Sequence, residues 1–304
     1  GYSFAKSHAA AFAVLVYQSA WLKCYYPLHF YCALLNHQPM GFWSPAVLVG
    51  EVKRQGGQIW SVDIEHSAAV CTVEGEGIRL GLRYVKGLKV EEIERIVTQR
   101  PFTDLAMFWK QTRVSRLSAE RLILAGAFDH WGDDRRQLLW QLGQLPDQPD
   151  ALPLTPSSNT IPLPPLTLPE ALAAEQSVLG VTAGEHVMVF YRAQCEAQGI
   201  VNSLTIGQVA HGRGATVAGL LVVHQAPPTA KGFHFLTLED EGGMVNVVVR
   251  PQVYAQFRRV IRQERLLCIS GEVQQSGGVS NLLAERVWPL KIQRDSHDEN
   301  PFTE

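Results

Sequence analysis

Lys6, Ser7 and His8 stand directly ahead of an uncharged run, Ala9 to Leu22, that closes at Lys23. Ala9, Ala10, Ala11 and Ala13 are strong helix formers. Phe12, Val16, Ser19 and Leu22 recur at helical spacing, with Val14 and Leu15 beside them. Ser7 is a candidate N-cap, since its hydroxyl can accept a first-turn N–H. Pro27 limits the helix, because the residue before a proline avoids the α region. The pattern sets a cation at a helix N-terminus, where free N–H groups and the dipole favour an anion such as phosphate. The plainer reading is a surface lysine before a buried helix, with His8 holding no special role.

A second set of residues suits phosphate contacts that do not read base sequence. Lys86 and Gly87 occupy a turn between helical stretches, with Arg83, Lys89, Arg113, Arg116 and Arg121 in the same region. A glycine-bearing hairpin turn can present backbone N–H groups to a phosphate. Residues 79–140 carry twelve Lys/Arg against eight Asp/Glu, so this region is locally basic. A solvated helix face accounts for the same charges. A third set lies further on. Phe233 and Phe235 are two apart on a strand and share one face. Exposed, they could stack bases at ~1–3 kcal/mol each; composition favours them instead as barrel core. Arg250, Arg258, Arg259, Arg262 and Arg265 cluster around a helix, either as nucleic-acid contacts or as a solvated face.

Other patterns carry less. Gly75-Glu76-Gly77-Ile78-Arg79-Leu80-Gly81 is one residue too long for a dinucleotide fingerprint and enters a strand. Asp133-Asp134 and Glu239-Asp240-Glu241 read as solvated turn acids. Two-metal catalysis needs carboxylates on neighbouring strands around ions ~4 Å apart, and the sequence offers no such set. Gln137 to Leu142 loosely resembles a sliding-clamp peptide, but Leu138 and Leu142 at helical spacing read as core. The five cysteines (Cys24, Cys32, Cys71, Cys195, Cys268) form no C-x-x-C pair. That argues for reduced thiols in a cytosol and against zinc or a disulfide framework.

The elements that must position these residues follow from pattern. A chain of 304 residues is long enough for two or three domains. Hydrophobic residues at 46% and charged residues at 18% suit a globular protein with real cores. The formal charge of -2 gives no global basic field, so charge has to be read locally. The first apolar run is shorter than the ~20 residues that span a bilayer and contains Gln18 and Ser19, so neither a membrane span nor a signal peptide is expected. The expected fold is multidomain α+β. Residues 1–57 read as helical and 58–82 as a small β-containing segment with three short strands. Residues 83–145 read as a helix–hairpin–helix region, with helices near Val90–Val97, Phe102–Trp109, Leu117–Gly126 and Arg135–Leu142. Residues 146–199 read as a Pro-rich linker, since eight of the 17 prolines fall between 146 and 184; Leu168–Leu179 inside it forms a short docking helix. Residues 200–290 show five strands, with a helix at Pro251–Arg262 between the third and fourth, which suggests an OB-fold. Residues 291–304 read as a polar tail.

The opening GYSFAKSHAAAFAVLVYQSAWLKCYYP resembles the fingers segment of the bacterial family C DNA polymerases. ALLNHQPMGFWSP and LGLRYVKGL resemble the error-prone, damage-inducible branch more than the replicative alpha subunit, and the LEDEGG turn resembles that family's OB-fold. The family usually has glycine where Ser3 stands and proline or asparagine where Ala5 stands; Lys6, Ser7 and His8 are kept. The similarity runs, with gaps, across most of the chain, and the absence of an initiating Met suggests a C-terminal piece of something longer. The resemblance implies template-directed nucleotidyl transfer by the whole enzyme in bypass of DNA lesions. Lys6, Ser7 and His8 would meet the incoming deoxynucleoside triphosphate, and the fragment would bind primer–template and single-stranded template DNA. The catalytic aspartates lie upstream in the family. Mg²⁺ is therefore expected for the full-length enzyme and not for this piece, which alone should not polymerise. Sliding clamp and mutagenesis accessory proteins are further implied partners, in the cytoplasm and away from membrane. The alternatives are a non-catalytic nucleic-acid-binding module, a structural subunit, or the replicative alpha subunit.

Overall fold

The structure, a computed structural model, describes residues 5–41, 43–146 and 163–291. The chain divides into two compact units, Gly1–Gly184 and Glu185–Glu304. Ser3, residues 147–162 of the Pro-rich stretch and all of the polar tail beyond residue 291 lie outside the described residues.

The first unit opens with α1 (Lys6–Tyr25), α2 (Pro27–Asn36) and α3 (Pro45–Arg54). α1 starts two residues earlier than the Ser7 cap would set it. Ala5 is the N-cap, no side chain caps the end, and Ser7 falls inside the first turn. The apolar residues of α1 do not form a buried stripe either: no residue of this helix is buried, and Phe12 and Val16 are 53% and 65% exposed. They are spread around the helix, and no element among the described residues covers them. α3 is conventional. Ser44 caps it by accepting the Val47 N–H, and Val47, Leu48, Val49 and Val52 are buried.

Three short strands follow, β1 (Gln58–Trp60), β2 (Thr72–Glu74) and β3 (Gly77–Arg79), in the order β1-β3-β2. β1 runs parallel to β3 and β2 antiparallel to it. Four helices then build the body of the unit: α4 (Val90–Thr98), α5 (Leu105–Thr112), α6 (Arg116–Leu124) and α7 (Arg135–Gln144). Three of them carry side-chain caps that the sequence reading had not singled out: Asp104, Ser115 and Asp134 each accept a first-turn N–H. Phe102, Phe108 and Phe128 stack edge to face at the centre. Leu138 and Leu142 are buried in the same core, so the clamp-like run is interior and not a free peptide.

The described half of the Pro-rich stretch is not a tether. α8 (Leu168–Leu179) starts at Thr167, whose hydroxyl and N–H both meet the Glu170 carboxylate. Val178, Leu179 and Val181 then join the core of the first unit. The helix falls where a short docking helix was expected, at Leu168–Leu179.

The second unit contains a helix that its polar composition concealed, α9 (Val189–Ala197), and a five-stranded closed barrel: β4 (Gly214–Gln225), β5 (His234–Glu239), β6 (Met244–Val249), β7 (Leu266–Ser276) and β8 (Val279–Pro289). The strand order is β4-β5-β6-β8-β7, closed by β7 on β4; β6 and β8 are parallel and the other neighbours antiparallel. α10 (Pro251–Gln263) joins β6 to β7. It packs Val253, Tyr254, Phe257 and Ile261 into the barrel core, at the end where β4 finishes and β5 begins. This is the expected OB topology. α9 buries Met188 and Cys195 against Ala218 and Cys268 of the barrel, so the second unit begins well before residue 200.

Candidate nucleic-acid interface

At the N-terminus of α1 the side chains of Lys6, Ser7 and His8 are all exposed. They hold the first three helical positions, and the first intrahelical bond runs from Ala9 N–H to Ala5 C=O. The N–H groups ahead of it are therefore directed out of the helix end. The His8 ring lies 4.4 Å from the Phe12 ring, one turn on.

The two hairpins repeat one device. In the first, a 3-10 turn at Leu82–Tyr84 leads through Val85-Lys86-Gly87-Leu88 into α4. Gly87 has φ +78°, and a Cβ there would fall 1.9 Å from Arg121 Nη1. That guanidinium donates to the Lys86 carbonyl at 2.7 Å. In the second hairpin, Gly126 has φ +81°, and its Cβ space holds the Arg135 guanidinium. Arg135 donates to the Leu124 carbonyl at 3.1 Å and to both oxygens of Asp129. Each turn thus uses a left-handed glycine so that an arginine of a later helix, Arg121 of α6 or Arg135 of α7, can lie over it.

These contacts sort the basic residues. Lys86 is exposed, but its ammonium donates to the Ser177 carbonyl at 2.6 Å and its N–H to the Val178 carbonyl at 3.1 Å. The C-terminus of α8, the negative end of its dipole, therefore lies where a phosphate was expected. Arg116 donates to the Leu142 and Leu145 carbonyls and stacks over Trp109 at 5.4 Å. Arg121 is held on the Lys86 carbonyl. Arg83, Lys89 and Arg113 are exposed, Arg113 in a left-handed conformation after α5. Glu92, two residues into α4, was not singled out by sequence. It is 4% exposed and accepts from the Lys89 N–H, the Ser115 N–H and the Ser118 hydroxyl. Burial raises its pKa, but those donors and the charge of Lys89 outweigh it and hold the carboxyl below its usual range.

On the barrel, neither phenylalanine belongs to the buried core. Phe235 is 39% exposed and Phe233 is half-buried ahead of β5. Cross-strand register sets Phe235 between Gln225 of β4 and Val248 of β6, with Val223, Thr237 and Asn246 in the next row. The inward positions of β5 are instead Leu236 and Leu238. The period-2 pattern was visible, but which phase faces inward depends on the neighbouring strands. Arg250, Arg258, Arg259, Arg262 and Arg265 are all exposed. Arg259 donates to Gln263, and Arg262 donates to the Tyr254 hydroxyl at 2.9 Å.

Of the turn acids expected to be solvated, Asp133 is exposed, but the others are buried or engaged. Glu239 and Asp240 are 2% and 4% exposed. Asp240 accepts from the N–H groups of Ser203, Gly242 and Gly243 and from the Ser203 hydroxyl, which folds the β5–β6 turn around its carboxylate. Glu241 pairs with Arg192 of α9; burial opposes its charge, but Arg192 holds its carboxyl below the usual range. Asp134 caps α7. Among the described residues no group of three or more His, Cys, Asp or Glu is arranged to hold a metal ion, and these acids already have structural donors. A two-Mg²⁺ site does not fit the donor set of the described residues. Among the described residues no helix is long and apolar enough to cross a membrane.

A helix–hairpin–helix region and an OB barrel in one chain define a class of nucleic-acid-binding protein. Residues 56–138 match the helix-hairpin-helix motif family, and residues 215–290 match the family described as the OB-fold nucleic acid binding domain. Within that class, the chain belongs to the family of the error-prone DNA polymerases. It is 38% identical to the error-prone DNA polymerase of Pseudomonas aeruginosa over 301 residues, 95% of this chain and 29% of that protein. It is 37% identical to error-prone DNA polymerase 1 of Rhizobium meliloti over 94% of this chain and 29% of that protein. The corresponding figures for Mycobacterium bovis are 38%, 96% and 27%. The chain thus spans under a third of the length of these curated relatives.

Proposed function

We propose that this chain is the DNA-handling part of an error-prone DNA polymerase that acts in translesion synthesis. The first unit holds primer–template duplex by its phosphates, through the exposed Arg83, Lys89 and Arg113. The second unit holds single-stranded template on the outer face of β5 and β6. Lys6, Ser7, His8 and the N-terminus of α1 meet the triphosphate of the incoming deoxynucleotide. Nucleotidyl transfer, with Mg²⁺ supplying the charge that stabilises the transferring phosphate, belongs to parts of the protein outside this chain. Sliding clamp and accessory proteins are partners of that whole enzyme, in the cytoplasm.

The observation that carries this reading is Phe235, a large aromatic ring exposed on a barrel face and flanked by Gln225 and Val248. A ring in that position stacks on any base, which suits a template of any sequence. Lys86, Arg116 and Arg121 keep a supporting role, since their donors hold the hairpins and the last turns of α7 and α8.

The test is fluorescence anisotropy with a single strand and with a primer–template duplex, at two salt concentrations. Phe235→Ala should weaken single-strand binding by about 1–3 kcal/mol and leave duplex binding intact. Lys89→Ala should lower the salt slope for duplex by about 1. Equal binding of the single strand by parent and Phe235→Ala would remove the barrel face from the proposal.

A further inference from the structure

His224 is the penultimate residue of β4, and His234 is the first residue of β5. Their register is diagonal, because His224 pairs with Leu236 and His234 with Val249. The two imidazoles meet edge on, with Nε2 of His224 2.9 Å from Nδ1 of His234. The His234 ring is fixed from the other side, since it stacks on Tyr254 of α10 with centroids 3.4 Å apart and planes at 15°. Tyr254 is in turn held by Arg262, whose Nε donates to its hydroxyl. Neither the duplex nor the single-strand reading uses this pair, which lies beside Tyr254 where α10 packs on the barrel core.

From this geometry we infer that His224 and His234 form a two-imidazole chelate for a divalent late first-row cation, copper(II) or nickel(II). Two nitrogens 2.9 Å apart, each at the ~2.0–2.1 Å of an imidazole–metal bond, subtend about 90° at the ion. A right angle is the cis relation of a square-planar or tetragonal site, which copper(II) and nickel(II) adopt; tetrahedral zinc would need the nitrogens further apart. With both rings neutral, their contact contains one N–H and one lone pair. Binding moves that proton to the outer nitrogen of the same ring, so no proton is released and no bond to carbon changes. Arg262 is the charged group against the cluster, and its guanidinium is turned toward the Tyr254 hydroxyl. The ion would close loop 226–233 at its base, one residue from Phe235.

The test uses the 304-residue chain, stripped with a chelator and titrated with copper(II), nickel(II) and zinc(II) by calorimetry, with the copper spectrum read by electron paramagnetic resonance. One equivalent of copper(II) with two-nitrogen coupling is expected. His224→Gln and His234→Gln should each weaken that equivalent roughly 10²-fold, because removing one imidazole removes the chelate. His66→Gln, at the separate Asp63–His66–His130 cluster, should leave it unchanged. Thermal unfolding of each variant checks that the barrel is intact. Unchanged copper binding in the two barrel variants overturns the inference, as does loss of the ion in His66→Gln. Tighter binding of zinc than copper, or stabilisation by inorganic phosphate in place of the cations, overturns it too.

Discussion

Glu92 shows how much one carboxylate can organise. It ties the start of α4 to the start of α6 through three donors and is almost fully buried. Glutamine would keep the shape but turn an amide N–H₂ toward N–H donors. We expect Glu92→Gln to destabilise the first unit by about 2–3 kcal/mol in urea melts. The sign with pH is fixed by the direction of its shift. The folded pKa lies below the ordinary 4.5, so the contribution is full above that value and fades as pH falls through the folded pKa. The gap between parent and variant should therefore close in acid; a gap that widened would contradict this account. The thiols give a second prediction. Cys32, Cys71, Cys195 and Cys268 are buried, and burial pushes Cys71 up to about 11 and Cys268 up to about 12. Cys24 is exposed. Alkylation of the native chain at neutral pH should label Cys24 and leave the other four until the chain unfolds. The cysteine count suggested reduced thiols, but only packing distinguishes which of them meets solvent.

Among elements, the two hairpins make a pair with different tolerances. Gly87→Ala brings left-handed strain of roughly 1–2 kcal/mol and meets the tip of Arg121, which can swing away. Gly126→Ala brings the same strain and meets Arg135, which is clamped by Asp129 and the Leu124 carbonyl. Thermal melts should rank Gly126→Ala as the more destabilising; the reverse order would mean that the Arg135 clamp is loose. Lys86 belongs to this scale too. Its ammonium holds the C-terminus of α8, so Lys86→Met should leave the salt slope of duplex binding near that of the parent, whereas a free phosphate contact would reduce it by about 1. Hairpin existence was legible from Lys86-Gly87 and from Ala125-Gly126 after an amphipathic helix. The docking of α8 onto the first hairpin was not, because Ser177 and Val178 act through backbone carbonyls, which carry no residue signature.

For the molecule as a whole, the two units each own a core, and the boundary falls at Gly184 and Glu185. A piece beginning at residue 185 should melt as one cooperative unit. A piece beginning at 200 loses the burial of Met188 and Cys195 against the barrel, at roughly 3 kcal/mol or more. Equal urea midpoints for the two pieces would show that α9 is not part of the barrel's fold.

The sequence by itself determined nearly every element, because helix periodicity, side-chain caps, glycine turns and strand alternation are local and are written in consecutive residues. Apolar periodicity marked α4 to α7, and five β-rich runs with a helix after the third determined an OB barrel. It also carried the family, through a similarity that spans most of the chain. Only the tertiary structure decided which basic residues are engaged and which face solvent. It alone turned Phe235 outward, folded the LEDEGG acids inward, left α1 uncovered among the described residues and brought His224 to His234. Those outcomes depend on partners distant in sequence: a carbonyl at 177, a neighbouring strand's register, a ring on α10. Residue types cannot encode them one at a time, since burial and pairing are properties of two surfaces that meet.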